Sequence, residues 1–151
     1  MIAHLRAAHD VAHHATEHGH HPFGAILVSP DDRVLMRQGN VDTVRHAESE
    51  LARRAAIAYP ADFLWACTLV TTFEPCAMCA GTIYWANIGR VVYGVEEAKL
   101  KAITGAHHQN PTMDLPCRTV LGSGQKPIAV EGPFPEMEEE LLTLHRTFWR
   151  R

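Results

Sequence analysis

His46-Ala47-Glu48 and, about thirty residues later, Thr72-Phe73-Glu74-Pro75-Cys76-Ala77-Met78-Cys79-Ala80-Gly81 are the stretches from which the rest of the chain is read. Residues 68–73 are rich in β-branched side chains and read as a buried strand. Residues 76–87 read as a buried helix, so two cysteines three positions apart sit at a helix start. Residues 46–59 read as a second helix, ended by Pro60, with His46 at its start. Two helix N-termini therefore carry one imidazole and two thiols, a donor set suited to zinc. The partial positive charge of a helix N-terminus favours thiolate over thiol. Three protein ligands leave a fourth tetrahedral position open for water, and Glu48, not itself a ligand, stands near enough to carry a proton. A structural zinc closed by a fourth ligand, such as Cys67, Cys117 or another histidine, is the alternative; it leaves Glu48 without a role.

Working outward, residues 90–95 read as a strand after the cysteine-bearing helix. Upstream, Phe23-Gly24-Ala25-Ile26-Leu27-Val28 reads as a buried strand. Pro30-Asp31-Asp32 turns it into a second strand over 34–37, a hairpin. Residues 2–18 show helical spacing, with Leu5, Ala8, Ala12 and Ala15 on one side and Gly19 as the stop. Downstream, a short helix is predicted over 96–103, a long loop over 104–125, a strand over 128–130 and a helix over 136–149. A loop of that length in a compact domain is often functional. Alternating helices and strands argue for an α/β domain, a sheet covered by helices on both faces. No repeat, low-complexity segment or linker divides the 151 residues, so 1–151 reads as one domain.

Composition narrows the function classes. Apolar residues at 46% and charged residues at 21% fit a globular protein. The first residues show no apolar run of the kind that makes a signal peptide or a membrane span, which gives a cytoplasmic expectation. In that setting a Cys-x-x-Cys favours metal binding over a disulfide. Cys67 reads as a buried small residue and Cys117 as a free thiol in a loop. The net charge of −3 leans toward a small-molecule substrate, since nucleic-acid backbones are gripped by basic faces. Among the eleven histidines, His9/His13 and His14/His18 are i,i+4 pairs. They read as a solvated helix face, with a second metal site as the alternative.

The H-x-E…P-C-x-x-C pattern is the known signature of zinc-dependent nucleobase deaminases. With Pro22-Phe23-Gly24-Ala25, Asn40 and Ile88-Gly89-Arg90-Val91-Val92-Tyr93-Gly94, the chain resembles the cytidine deaminase-like superfamily over roughly residues 3–105. Within it, the chain is similar to the bacterial branch of guanine deaminases, yeast-type cytosine deaminases and tRNA adenosine deaminases. The resemblance implies a three-layer αβα fold with a five-stranded mixed sheet, usually a homodimer, and hydrolysis of an exocyclic amine with release of ammonia. It implies that His46, Cys76 and Cys79 hold Zn2+ and that Glu48 is the catalytic proton carrier. The implied substrate-contact set is Asn40, Glu74, Ala47, Phe23, Phe148 and Trp149. Glu74 either accepts hydrogen bonds from a purine or supports the backbone around the metal loop; Phe23, Phe148 and Trp149 either contact the base or are core. Tyr84 and Trp85 read as core or dimer contacts. The implied substrate is a free nucleobase or a nucleoside, and guanine stands first from Glu74 and Phe23. The absence of a Gly-Phe-Asp-Asp-like stretch after Gly94 leaves cytosine, another aminopurine or an aminotriazine open. A tRNA adenosine deaminase is the alternative enzyme, and a noncatalytic zinc-stabilised binding module the alternative from another class.

Overall fold

The computed structural model of the chain describes residues 1–150. In chain order its elements are α1 (Ile2–Glu17), β1 (Gly24–Val28), β2 (Val34–Gly39), α2 (Ala47–Ala58), α3 (Ala61–Trp65) and β3 (Thr68–Phe73). After these come α4 (Ala77–Ala86), β4 (Arg90–Val95), α5 (Glu97–Thr104), α6 (Cys117–Gly122), β5 (Ala129–Glu131) and α7 (Pro135–Phe148). The strands form one five-stranded sheet in the order β2-β1-β3-β4-β5. β1 runs antiparallel to β2 and β3, while β3, β4 and β5 are mutually parallel neighbours. The mixed sheet is thus a hairpin edge joined to a parallel half, whose β3–β4 crossover is made by α4.

Side chains on β1 alternate between two cores because successive strand residues face opposite sides. Ala25 and Leu27, with Leu69 and Val91, pack under Leu51, Ile83 and Leu121 of α2, α4 and α6. Ile26 and Val28, with Val70 and Val92, pack against Leu5, Leu100 and Leu141 of α1, α5 and α7. Helices cover both faces, giving the three-layer αβα architecture. Gly24 lets α1 come close: a Cβ there would lie 2.3 Å from the Ala8 carbonyl oxygen.

Two helices were not expected from the sequence. α3 lies between Pro60 and β3, in a stretch too short to show a periodicity. α6 forms inside the long downstream segment, and its Cys117 amide donates to Glu74 Oε2 at 2.9 Å, a contact 43 positions away in sequence. Cys117 is therefore a buried helix-start residue and not part of a loop. β2 runs two residues further than expected because it pairs with β1 as far as Gly24 opposite Gly39. Among the described residues no helix is long and apolar enough to cross a membrane.

The register of the parallel half sets the site. Phe73 lies opposite Val95, and Glu74 N–H continues the pairing to Val95 O at 2.8 Å. The residues leaving β3 and β4 therefore emerge side by side at the carboxyl ends of parallel strands, where open α/β sheets place their ligand crevices.

Candidate active site

The N-termini of α2 and α4 converge at that edge. His46 is the N-cap of α2 and Cys76 the N-cap of α4, with Cys79 on the first turn of α4. His46 Nδ1 lies 3.6 Å from each sulfur, and the two sulfurs lie 3.6 Å apart. Tetrahedral zinc, with metal–sulfur bonds of about 2.3 Å and metal–nitrogen bonds of about 2.0–2.1 Å, sets ligand–ligand edges of about 3.8 Å and 3.5 Å. The triangle fits that ion. The imidazole is also oriented for it, because His46 Nε2–H donates to the Thr43 carbonyl at 2.9 Å and leaves the Nδ1 lone pair facing the sulfurs. Its hydrogen bond with Cys79 and the nearby His46 imidazole hold the Cys76 thiol down to about 4 against burial, while the hydrogen bond with Cys76 raises Cys79. Hydrogen bonding to Cys76 raises His46 to about 9. Protons bound at this cluster are those a metal displaces. Among the described residues this is the one group of three or more side chains spaced to hold a metal. The His9/His13 and His14/His18 rings pair at 4.6 Å and 4.5 Å but gather no third ligand.

Glu48 lies on the first turn of α2, one position past Ala47, and is buried. Thr71 Oγ1 of β3 donates to its Oε1 at 2.9 Å. Burial is the main reason its carboxyl is raised to about 7, with the charge of Cys76 adding and that of His46 opposing. A carboxyl with that pKa exchanges a proton readily in either direction near neutral pH.

Above it opens a cavity of about 480 Å³. Phe23, Phe73 and Leu100 give it apolar walls, and Asn40, Glu48, Glu74 and Glu97 give it polar ones. Asn40 is held by its backbone: its N–H donates to Phe23 O at 3.1 Å and its carbonyl accepts from His20 Nδ1 at 2.7 Å. Its side-chain Nδ2 donates to Asp42 O, so the amide oxygen is left for the cavity. Glu74 lines the cavity and also makes the supporting contacts expected of it. Oε1 accepts the Glu97 N–H at 3.0 Å and Oε2 the Cys117 N–H at 2.9 Å, which ties the starts of α5 and α6 to the end of β3. Glu97 is raised to about 9 by burial, with Glu48, Cys76 and Glu74 adding to the shift.

Three of the expected substrate contacts are not in the cavity wall. Ala47 is sealed in the core beneath α2. Phe148 and Trp149 end α7 and stand behind the wall: the Trp149 ring packs 4.7 Å from His21, and His21 lines the cavity. The remaining wall is the segment after α5, through His108, Gln109, Asn110, Thr112 and Met113. In the sequence that segment reads only as a long loop. Its length was the only hint, since contacts made by a loop have no periodicity. Thr71 and Glu97 were missed because each looked like an ordinary strand or helix-start residue.

His145 anchors α7 to this wall. It is fully buried, with Nε2–H donating to the Pro22 carbonyl at 2.8 Å and Nδ1 accepting from Trp149 Nε1–H at 3.1 Å. Its ring packs against Phe23 and Phe73. Burial lowers its pKa to about 3, with His9 and His21 acting in the same direction and the Pro22 hydrogen bond opposing. The unfolded chain takes up this proton near pH 6.5, whereas the folded chain does so only near 3. The stability contributed by neutral His145 is thus complete above pH 6.5 and is lost as pH falls toward 3, at about 1.4 kcal/mol per pH unit. Urea midpoints measured between pH 7 and 5 are expected to fall less steeply in His145→Gln than in the parent. Equal slopes would show that His145 does not carry the acid sensitivity.

Residues 2–95 match the family described as the cytidine and deoxycytidylate deaminase zinc-binding region. The chain is 37% identical to a probable cytosine deaminase of Schizosaccharomyces pombe, over 98% of this chain and 91% of that protein. It is 40% identical to guanine deaminase of Bacillus subtilis over 50% of this chain and 51% of that one, so it matches about half of that relative's length. Among solved structures it is similar to one from a study of A-to-I editing by tRNA:A34 deaminases. The TM-score there is 0.66 at 27% identity, covering 93% of this chain and 99% of that one.

Proposed function

The chain belongs to the cytidine and deoxycytidylate deaminase zinc-binding family, and from that premise we propose that it hydrolyses the exocyclic amine of a free nucleobase. Water adds to the ring carbon that bears the amine, ammonia leaves, and a carbonyl remains. The observation that carries this reading is the juxtaposition of a proton-exchanging carboxyl, Glu48, with the His46, Cys76 and Cys79 triangle, of which His46 and Cys76 line the same cavity as Glu48. In this proposal those three side chains hold zinc. When bound, zinc supplies a Lewis acid that lowers the pKa of a coordinated water toward neutrality. Glu48 accepts the proton released by the attacking water, delivers it to the adjacent ring nitrogen and then helps protonate the departing amine. The Thr71 hydroxyl fixes Glu48 Oε1, leaving Oε2 to move the proton. Asn40 orients the base through its amide, and Phe23, Phe73 and Leu100 enclose the ring and exclude water.

Guanine and cytosine are the bases to separate: the resemblance to guanine deaminases at Phe23, which lines the cavity, favours the first, and the near full-length relative points to the second. The tRNA reading draws on the similar solved structure. Against it, among the described residues no lysine or arginine lines the cavity, and the chain is net acidic, whereas nucleic-acid affinity draws chiefly on cationic contacts to phosphate. Ammonia release measured on guanine, cytosine, their nucleosides, an aminotriazine and a tRNA anticodon stem-loop decides the matter. A free base is expected to be preferred by kcat/KM. Turnover confined to the stem-loop and falling steeply with salt would overturn the reading.

We propose further that residues 1–151 work as one domain and that two copies associate through α2 and α4. A groove there is lined by Ala52, Ala56, Met78, Gly81 and Trp85, with Trp85 79% exposed. Exposed apolar surface of this kind marks association sites. Light scattering is expected to give twice the chain mass, and Trp85→Lys the single mass. A monomeric parent protein would remove the dimer.

A further inference from the structure

Glu97 occupies the first position of α5, directly after β4. It is only 7% exposed, and it lines the same cavity as Glu48 and Asn40. The other two cavity carboxylates have partners: Glu48 takes the Thr71 hydroxyl, and Glu74 takes two backbone N–H groups. Glu97 gives its backbone N–H to Glu74, but among the described residues no donor meets its own carboxyl. Neither carboxyl oxygen is sealed in the core. The charges nearest in effect are mostly of its own sign, from Glu48, Cys76 and Glu74, with His46 opposing. A carboxyl buried without a partner is costly unless a donor arrives, and here the donor can arrive only through the cavity. A favourable effect on the start of α5 does not require that burial.

We propose that Glu97 selects the substrate: its carboxyl accepts a hydrogen bond from an N–H of the bound base. In either protonation state the group keeps an oxygen able to accept. Heterocycles that present this N–H free are preferred over analogues in which the same nitrogen carries a methyl group or a sugar. The inference rests on the base-deaminase reading above. Discrimination is expected to be large because an analogue lacking the donor leaves a buried acceptor unpaired; sites built this way reject such analogues by on the order of 10²-fold or more.

The test compares guanine and cytosine with their singly ring-N-methylated analogues in zinc-loaded parent protein, Glu97→Gln and Glu97→Leu. Both kcat/KM and equilibrium binding by calorimetry are measured. In the parent, methylation at one ring nitrogen is expected to cost about 100-fold in kcat/KM. In Glu97→Leu the same base and its methyl analogue should differ by less than about 5-fold, because the acceptor is gone. Glu97→Gln keeps an acceptor oxygen and should retain part of the preference, while guarding against a folding defect. Equal discrimination in all three proteins overturns the inference and leaves the deaminase reading intact. If the parent turns over none of the bases, that reading fails instead, and binding decides the role of Glu97. Weaker binding of a parent base in Glu97→Leu, with no change for its methyl analogue, supports the role; no binding, or no difference, overturns it.

Discussion

Glu48→Gln is expected to lower kcat for ammonia release by on the order of 10³-fold or more, with zinc content unchanged. Positioned proton transfer contributes about 10²–10⁴-fold in enzymes generally. Here one carboxyl is asked to move a proton more than once, so the upper part of that range applies. Glutamine keeps the shape of the side chain and an oxygen for the Thr71 hydroxyl, which now donates to Glu48 Oε1 at 2.9 Å. It cannot carry a proton. Because Glu48 is no part of the His46, Cys76 and Cys79 triangle, the metal should stay, at one zinc per chain by elemental analysis. Turnover within tenfold of the parent would remove Glu48 from the mechanism. Loss of zinc along with activity would instead point to a structural role at the cluster.

Cys79→Ala is expected to remove both metal and activity. Cys79 is fully buried on the first turn of α4 and supplies two of the three 3.6 Å edges of the triangle. Two ligands at helix starts cannot hold zinc as three do, so zinc per chain should fall from one to near zero. Binding to the folded state alone stabilises it by about 4 kcal/mol when free ligand is a thousandfold above Kd. For a chain of this size that corresponds to a melting temperature lower by on the order of 10 °C. Treating the parent protein with a strong chelator should reproduce the loss of activity, and added zinc should restore it in the parent but not in the variant. Full activity in metal-free parent protein would overturn the zinc chemistry.

Several elements are legible in the sequence alone. The limits of β3 and β4 were predicted as they stand, since both are short apolar runs bounded by clear breakers, and α1, α2, α4 and α7 lay within one or two residues. α3 and α6 were not foreseen: α3 is too short to display a periodicity, and α6 is held partly by Glu74. The metal cluster was legible because each half of it is local, with the two cysteines three positions apart and each half-motif at a helix start. The cavity was not, for its walls come from segments distant in sequence. Asn40, Phe73, Leu100 and Met113 meet only because β1, β3 and β4 lie side by side and the segment after α5 folds back over their ends.

The sequence alone determined the donor set, the carboxyl beside it and the helix starts that carry both, because those depend on residue type and short spacing. Tertiary structure decided which side chains line the cavity. It gave Glu74 two backbone amides at the cavity wall, sealed Ala47 in the core and put Phe148 and Trp149 behind the wall, while leaving the Glu97 carboxyl open to the cavity. The physical reason is that a buried polar group takes its role from whatever donor lies within hydrogen-bond reach, and chain spacing does not record that for residues brought together across a sheet.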